Sequence, residues 1–430
     1  MQFGIRPATG PLAAALLLLL QSGCVTLPAV DAEVARAQRM PEPRGAIDLM
    51  RAEGERVAHV PFLPGNSVRL LINGPASYAA MEAAIAAAKT RIDMESYVFG
   101  PGIGQKFASL LLAKRARGVE VNLIYDAIGS FQTPSELFDE LRRGGVNVLQ
   151  YHPVSDVGAL NDRDHRKLLV VDAAVAIVGG VNISQVYFNK PRPRAGQLTP
   201  GEMPWRDTDV RVAGPVAAQF ESIFLQNWRM QGGPALPPPP LTPRRRPGTA
   251  LVQAVEGAPG EHAPLIYRTL LVAIGLARHS VHLTSGFFAP PPDLAALLES
   301  TAERGVDVAL VVPSHSNSVL AIEAGRADYA ALLKAGVRIF ERHGAVLHAK
   351  TAVIDGDWSM VGSSNLDWRS VIYNSEVDAV IIDRGFARDM EALFDSDLDQ
   401  SREIRRNPWA NRSILERIEE WGARLAQFLL

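Results

Sequence analysis

From Ser67 onward, short β-branched runs alternate with longer stretches of helical period. Val68 to Ile72 reads as a strand, Tyr78 to Ala88 as a helix, Arg91 to Phe99 as a strand, Ile103 to Arg117 as a helix and Val119 to Tyr125 as a strand. This alternation predicts an α/β fold in which helices flank a mainly parallel or mixed β-sheet. The series then returns, with a helix from Pro264 to Ala277, a strand from Ser280 to Phe287, a helix from Asp293 to Arg304 and a strand from Val306 to Val312. Arg117-Gly118-Val119-Glu120-Val121 is matched by Arg304-Gly305-Val306-Asp307-Val308, and Gly145-Val146-Asn147-Val148 by Gly336-Val337-Arg338-Ile339. The chain is an internal duplication. Two equivalent units that share one cleft pair most simply through a pseudo-two-fold axis.

The pattern changes in four places outside the repeated units, which span residues 65–230 and 251–405. Residues 1–23 carry one basic side chain, Arg6, then the apolar run Pro11 to Leu20 and Gln21-Ser22-Gly23 before the single cysteine, Cys24. That run is too short to span a bilayer and fits a signal-peptide core. It resembles a bacterial lipoprotein signal cut before Cys24, although Gln21 stands where such signals normally have Leu. The resemblance implies lipidation at Cys24 and a periplasm-facing anchor in the cell envelope. Residues 24–64 lack sustained periodicity and read as a tether or a lid over the first unit. Residues 231–250, with Pro234, Pro237 to Pro240, Pro243, Pro247 and Arg244 to Arg246, read as a linker. In residues 406–430, Ser413 and Glu416 have capping-box spacing, and Ile414, Leu415, Ile418, Trp421, Leu425, Phe428 and Leu429 share one helical face. That face is expected to pack on the second unit or on a bilayer.

The chemistry lies in one pattern that occurs twice. His165-Arg166-Lys167 runs into the apolar Leu168 to Val171, then Asp172, and six residues later Gly179-Gly180-Val181-Asn182. His348-Ala349-Lys350 runs through Thr351 to Ile354 into Asp355, then Gly362-Ser363-Ser364-Asn365. Both obey H-x-K-x4-D-x6-G-G/S-x-N. On a strand, residues i and i+2 face the same way, so each histidine projects beside its lysine. The glycine turn is expected to open a helix whose free N–H groups favour a phosphate. Lys167 and Lys350 then supply fixed positive charge, and Asn182, Asn365 and the Ser363 hydroxyl supply neutral donors. Asp172 and Asp355 stand at turns and are read as structural, as are Gly179, Gly180, Gly362 and Ser363 within the motif. Glu95, Asp126 and His315 lie near predicted strand ends, where a framework role is at least as good a reading as a functional one.

This signature, with Gly362-Ser363-Ser364-Asn365-Leu366-Asp367, Ser370, Asn374 and Glu376 in the second half and Trp205-Arg206-Asp207-Thr208 in the first, is similar to the duplicated HKD motif of the phospholipase D superfamily, and to bacterial cardiolipin synthases in particular. The resemblance covers roughly residues 65 to 400. It implies that one histidine attacks phosphorus while the other protonates the departing alcohol; His165 is taken as nucleophile and His348 as acid, with the spacing leaving the reverse open. A nucleophilic histidine needs an acceptor on its second nitrogen. Glu376, downstream of His348, and its aligned counterpart Asp207, downstream of His165, are the candidates. The expected activity is phosphatidyl transfer to a second phospholipid such as phosphatidylglycerol at a membrane surface. Hydrolysis to phosphatidic acid would use the same residues with water as acceptor, and nuclease and non-enzymatic lipid-binding readings are the remaining rivals.

Composition narrows these choices. The 430 residues, 47% hydrophobic and 21% charged, suit a two-domain globular chain. A net charge of −2 lacks the basic footprint of non-specific nucleic-acid binding, so no nucleic-acid partner is expected. One cysteine permits no intramolecular disulfide, and the nine histidines include no metal-ligand spacing, so neither metal nor cofactor is expected. Oligomeric state is not legible; the two halves are expected to act together as a pseudo-dimer within one chain.

Overall fold

A computed structural model describes residues 45–153, 161–188, 203–236, 246–259, 264–316 and 318–410, with isolated residues at 35–38 and 412–424. Cys24 and the expected leader, the centre of the expected linker and most of the expected helix over 413–430 lie outside the described residues. So does the stretch 189–202.

The first half contributes β1 (Leu63–Ile72), β2 (Arg91–Ser96), β3 (Glu120–Asp126), β4 (Asn147–Tyr151), β5 (Lys167–Val171), β6 (Val175–Gly179) and β7 (Thr208–Ala213). The second contributes β8 (Ala250–Gly257), β9 (Ser280–Ser285), β10 (Asp307–Pro313), β11 (Arg338–Arg342), β12 (Lys350–Ile354), β13 (Trp358–Gly362), β14 (Asn374–Ile382) and the edge strand β15 (Ser401–Ile404). They join in one mixed sheet of order β4-β3-β2-β5-β6-β7-β1-β8-β14-β13-β12-β9-β10-β11-β15. Apart from β15 the order is symmetric about the β1/β8 junction, which is antiparallel. Parallel β2-β3-β4 is mirrored by parallel β9-β10-β11, and the remaining neighbours in each half are antiparallel. The pseudo-two-fold axis therefore runs between β1 and β8.

The sheet is covered on both faces, which explains why β2, β5 and β13 are buried at every position. The helices Asn73–Ala87 and Ile103–Arg115 bury Ile85, Phe107 and Leu111 on the first half, and Leu265–Leu276 and Pro292–Glu303 do the same on the second. A third core is shared: Phe220 and Phe224 of helix Ala217–Met230 and Phe386 and Met390 of helix Arg384–Leu398 pack with Val170, Val252, Val361 and Val377, strand residues from both halves. The halves are thus welded by apolar contact as well as by the strand junction.

Both terminal segments, where described, contact the second half. Within residues 24–64, Ala46–Ala58 is a helix, and it lies on the second half rather than over the first, burying Leu49, Met50, Val57 and Ala58 against Leu270 and Ile274. Its buried face also carries Glu53 and Gly54, which break the apolar period; Glu53 is paired with Arg56 at 2.7 Å and Arg36 at 3.4 Å. At the other end, Ala423 is buried beside Ala289 and Ala324, and Arg424 meets Asp328 at 3.0 Å, so the few described residues of that stretch contact the second half. Among the described residues no helix is long and apolar enough to cross a membrane.

Candidate active site

The two H-x-K segments meet at one cavity of about 380 Å3, lined by both His165 and His348. Their imidazole centroids are 6.4 Å apart. Each segment enters its strand alongside the acid-bearing segment of the opposite half. Arg163 and Asp164 pair in parallel with Asn374 and Ser375, and Val346 and Leu347 with Trp205 and Arg206. The His165 N–H then donates to the Ser375 carbonyl at 2.9 Å, and the His348 N–H to the Arg206 carbonyl at 2.8 Å. This register crosses the dyads. His165 Nδ1 lies 3.0 Å from both Glu376 carboxylate oxygens, and His348 Nδ1 lies 2.7 Å from Asp207 Oδ2. Sequence proximity puts each acid downstream of the histidine in its own half; the fold gives it to the other one.

Burial and charge set the two dyads apart. Burial, with Lys167 and Lys350 nearby, pushes His165 down to about 4 despite Glu376, and drives His348 well below its ordinary value. Burial raises Glu376, but its contact with His165, backed by Lys167 and the Ser363 hydroxyl, holds it below the usual carboxylate range. The first dyad is an ionised carboxylate accepting from Nδ1–H of a neutral imidazole. Asp207 differs: burial pushes it up to about 6, against the pull of Lys350 and the Thr208 N–H. The Tyr187 hydroxyl, 3.3 Å from His348 Nδ1, adds a second partner on that side.

The lysines are deeply buried. Lys167 and Lys350 are 2% and 3% exposed, each with its ammonium turned onto the carbonyl of its own motif histidine. Burial brings them down to about 7 and about 8. Glu376 and Asp207 oppose that shift, and a bound phosphate favours the charged form further.

The glycine turns also work differently. An added Cβ would meet Asp209 Oδ1 at Gly179 and Asp207 Oδ1 at Gly180, both at 2.1 Å, and Asp378 Oδ1 at Gly362 at 1.9 Å. These glycines make room for buried carboxylates rather than for a ligand. The turn N–H groups are already taken: Val181 donates to Asp209 at 3.0 Å, and Ser363 and Ser364 donate to Asp378 at 2.9 and 3.2 Å. Among the described residues no long helix follows either turn; Gln185–Tyr187 is a single 3-10 turn and Trp368–Ile372 is a five-residue helix. Ser363 is fully buried and its hydroxyl accepts from the Val377 N–H at 3.0 Å, so it braces the Glu376 strand instead of donating to a ligand.

The two asparagines line the cavity. Asn182 spends its amide on the Val98 N–H at 3.0 Å and the Tyr187 hydroxyl at 3.0 Å, whereas Asn365 Oδ1 has no hydrogen-bond partner among the described residues. Asp172 and Asp355 lie away from the cavity with φ of 54° and 53°. Asp172 accepts from the N–H groups of Lys89, Thr90 and Arg91, and Asp355 from those of Arg278, His279 and Ser280. Each ties its β-hairpin to the start of the neighbouring strand. Among the described residues no group of three or more His, Cys, Asp or Glu is placed to hold a metal ion.

Several contributors are not singled out by sequence reasoning. Arg166, whose counterpart is Ala349, is 2% exposed and reaches across the halves to the Glu376 carbonyl at 3.2 Å and to Glu256 at 3.5 Å, as well as to Glu95 at 3.4 Å. Within the charged run Asp162 to Lys167 nothing local sets it apart; the signal is the contrast with Ala349 at the matching position of the second copy. Asp126 accepts from the N–H groups of Ile128, Gly129 and Asp164, a framework role, and His315 lies beside His343, outside the cavity lining. Tyr97 and Phe287, just past β2 and β9, line the cavity, whereas the adjacent Phe99 and Phe288 are buried in the cores at 0% and 4% exposure.

Comparison with known proteins places the chain in a family. The family described as "Cardiolipin synthase, PLD-like domain" matches residues 81–227 and 270–398. Cardiolipin synthase A of Pseudomonas aeruginosa (strain LESB58) is 35% identical over 378 residues, 87% of this chain and 75% of that protein. Cardiolipin synthase A of Pectobacterium carotovorum subsp. carotovorum (strain PC1) is 32% identical over 376 residues, 85% of this chain and 76% of that protein. Among solved structures, phosphatidylserine synthase of Haemophilus influenzae Rd KW20 has the same fold, with a TM-score of 0.64 and 12% identity over 93% of this chain and 100% of that one. The chain belongs to the phospholipase D-like superfamily of enzymes, in the family of cardiolipin synthase domains.

Proposed function

We propose that the protein is a phosphatidyltransferase of the cardiolipin synthase type, which passes a phosphatidyl group through a phosphohistidine to the hydroxyl of a second phospholipid, phosphatidylglycerol above all. The observation that carries this reading is the pair of crossed dyads on one cavity, His165 with Glu376 and His348 with Asp207. A phosphodiester held between the imidazoles has Lys167 and Lys350 to balance its charge. His165 Nε2 attacks phosphorus, the P–O bond to glycerol breaks, and the glycerol oxygen takes a proton from His348. An incoming hydroxyl then gives its proton to His348 while its oxygen displaces His165 Nε2. The dyad chemistry supports this division of labour: burial and the two lysines keep His165 neutral, the ionised Glu376 holds its proton on Nδ1 and leaves Nε2 free, and the raised Asp207 lets its pair with His348 store a proton.

Incubating the protein with phosphatidylglycerol vesicles and resolving the lipids tests the reading. Cardiolipin and glycerol are expected; phosphatidic acid alone would make the protein a hydrolase.

The partner surface we propose is a lipid bilayer. Five of the seven large apolar side chains exposed among the described residues, Phe131, Val186, Phe188, Val319 and Leu320, lie in segments that follow β3, β6 and β10, and Val186 lines the cavity. The loop bearing Phe131 is bonded to the residue that follows the cavity-lining Val98, with the Phe99 N–H donating to Ser130 Oγ at 3.0 Å and Thr133 Oγ1 to the Phe99 carbonyl at 2.6 Å. The helix Val319–Arg326 abuts Phe288 so closely that a Cβ at Gly325 would stand 1.9 Å from its carbonyl oxygen. An apolar rim around a headgroup-sized cavity suits a bilayer. Replacing Phe131 and Phe188 together with Ser is expected to weaken vesicle binding about tenfold or more. An equal loss on a short-chain dispersed substrate would argue for packing instead. Lipidation at Cys24 would hold the rim at a membrane of a bacterial envelope.

A further inference from the structure

The cavity is built on a pseudo-symmetric centre, yet its walls are unlike. Around His348 stand Tyr187, Trp205 and Phe287, with ring centroids 5.9, 5.0 and 6.4 Å from the imidazole. The wall beside His165 carries Arg163 and Arg369. Their positions in the other half are held by valines: Val346 stands two residues before His348 as Arg163 stands before His165, and Val186 stands four after Asn182 as Arg369 stands four after Asn365. The duplication has placed two cations on one side only.

Both arginines are held in position. Arg163 is 2% exposed and lies 3.6 Å from Asp126. Arg369 Nη2 donates to the Asn161 carbonyl at 3.1 Å, two residues ahead of Arg163. Both act on the Tyr97 phenol, against the burial that raises it, and Tyr97 meets His165 edge-on at 5.2 Å between centroids. Arg163 and His165 are also two residues apart on extended backbone, so their side chains share a face roughly 7 Å apart. That distance is comparable to the separation of two phosphates joined through a three-carbon glycerol bridge.

Resting on the transferase reading, we propose that Arg163 and Arg369 form a second phosphate subsite, which takes the acceptor phospholipid's own phosphodiester while its glycerol hydroxyl reaches the phosphorus on His165. The chemistry of the participants leads there. The reacting phosphate is served by the two histidines and two lysines. The leaving glycerol is neutral, the diacylglycerol part of the donor is neutral, and water is neutral. Among the participants, the acceptor lipid brings the second anionic group, and a guanidinium pair is well suited to hold it. With that phosphate docked, the acceptor oxygen bonds to phosphorus, the P–Nε2 bond breaks with its electron pair returning to His165, and the hydroxyl proton passes to His348. The subsite thereby selects a phosphate-bearing alcohol over an uncharged one.

The test is a competition in one tube. Full-length protein receives phosphatidylglycerol vesicles with ethanol as an uncharged rival acceptor, and cardiolipin and phosphatidylethanol are quantified together. Their ratio does not depend on how much of a variant is folded. Arg369→Gln is expected to lower the cardiolipin to phosphatidylethanol ratio about tenfold or more, and Arg369→Lys to lower it less. An unchanged ratio in Arg369→Gln, or loss of both products in both variants, would overturn the subsite. If the unaltered protein makes phosphatidylethanol and no cardiolipin, the cardiolipin synthase reading itself fails and the subsite with it.

Discussion

His165→Ala and His348→Ala are each expected to lower turnover of phosphatidylglycerol by roughly 10^4-fold or more, because each removes a bond-forming or proton-transferring group rather than a contact. Both side chains border the cavity, so neither loss should unfold the chain. The variants differ in what they leave behind. With His348 gone, His165 still has Glu376 on Nδ1 and retains the nucleophile, so a slowly formed lipid adduct should persist after denaturation. With His165 gone, no adduct should form. Labelled donor lipid followed by gel separation reads this directly, and an adduct found only in the His165 variant would reverse the two roles.

Much of the fold was legible because the duplication wrote it twice. The strand and helix series and the matched pairs such as Arg117-Gly118-Val119 and Arg304-Gly305-Val306 anticipate two halves whose strand orders mirror each other across the β1/β8 junction. The two histidines and their lysines were legible for the same reason. Other features escaped because they depend on register between distant segments. Nothing local to His165 says that its acid is Glu376; the short parallel pairing of Arg163-Asp164 with Asn374-Ser375 decides it. The glycines were misread for a related reason. A small residue in a turn announces a close approach without saying what approaches, and here Asp207, Asp209 and Asp378 occupy the space. The helix Ala46–Ala58 was hidden by Glu53, whose burial is tolerated only because Arg56 and Arg36 neutralise it.

The crossed dyads make the second large effect specific to its acid. Glu376→Gln keeps the shape of the side chain and removes the charge that fixes Nδ1–H on His165, so the imidazole loses its preferred tautomer and Nε2 its nucleophilicity. A loss of about 10^3-fold or more in turnover is expected, comparable to neutralising the acid of other histidine dyads. Because the defect precedes the covalent step, adduct formation should slow with it. Asp207→Asn should cost turnover as well, but through His348: the pair loses the carboxylate that stores its proton, and the defect falls on both leaving-group protonation and acceptor activation. Combining each acid variant with each histidine variant separates crossed from uncrossed pairing, since groups acting as one unit are not additive. Glu376→Gln should add little to His165→Ala, and Asp207→Asn little to His348→Ala. If Glu376→Gln were instead silent only in the His348→Ala background, each acid would serve the histidine of its own half, and the geometry in which Glu376 lies 3.0 Å from His165 would not be the one that turns over.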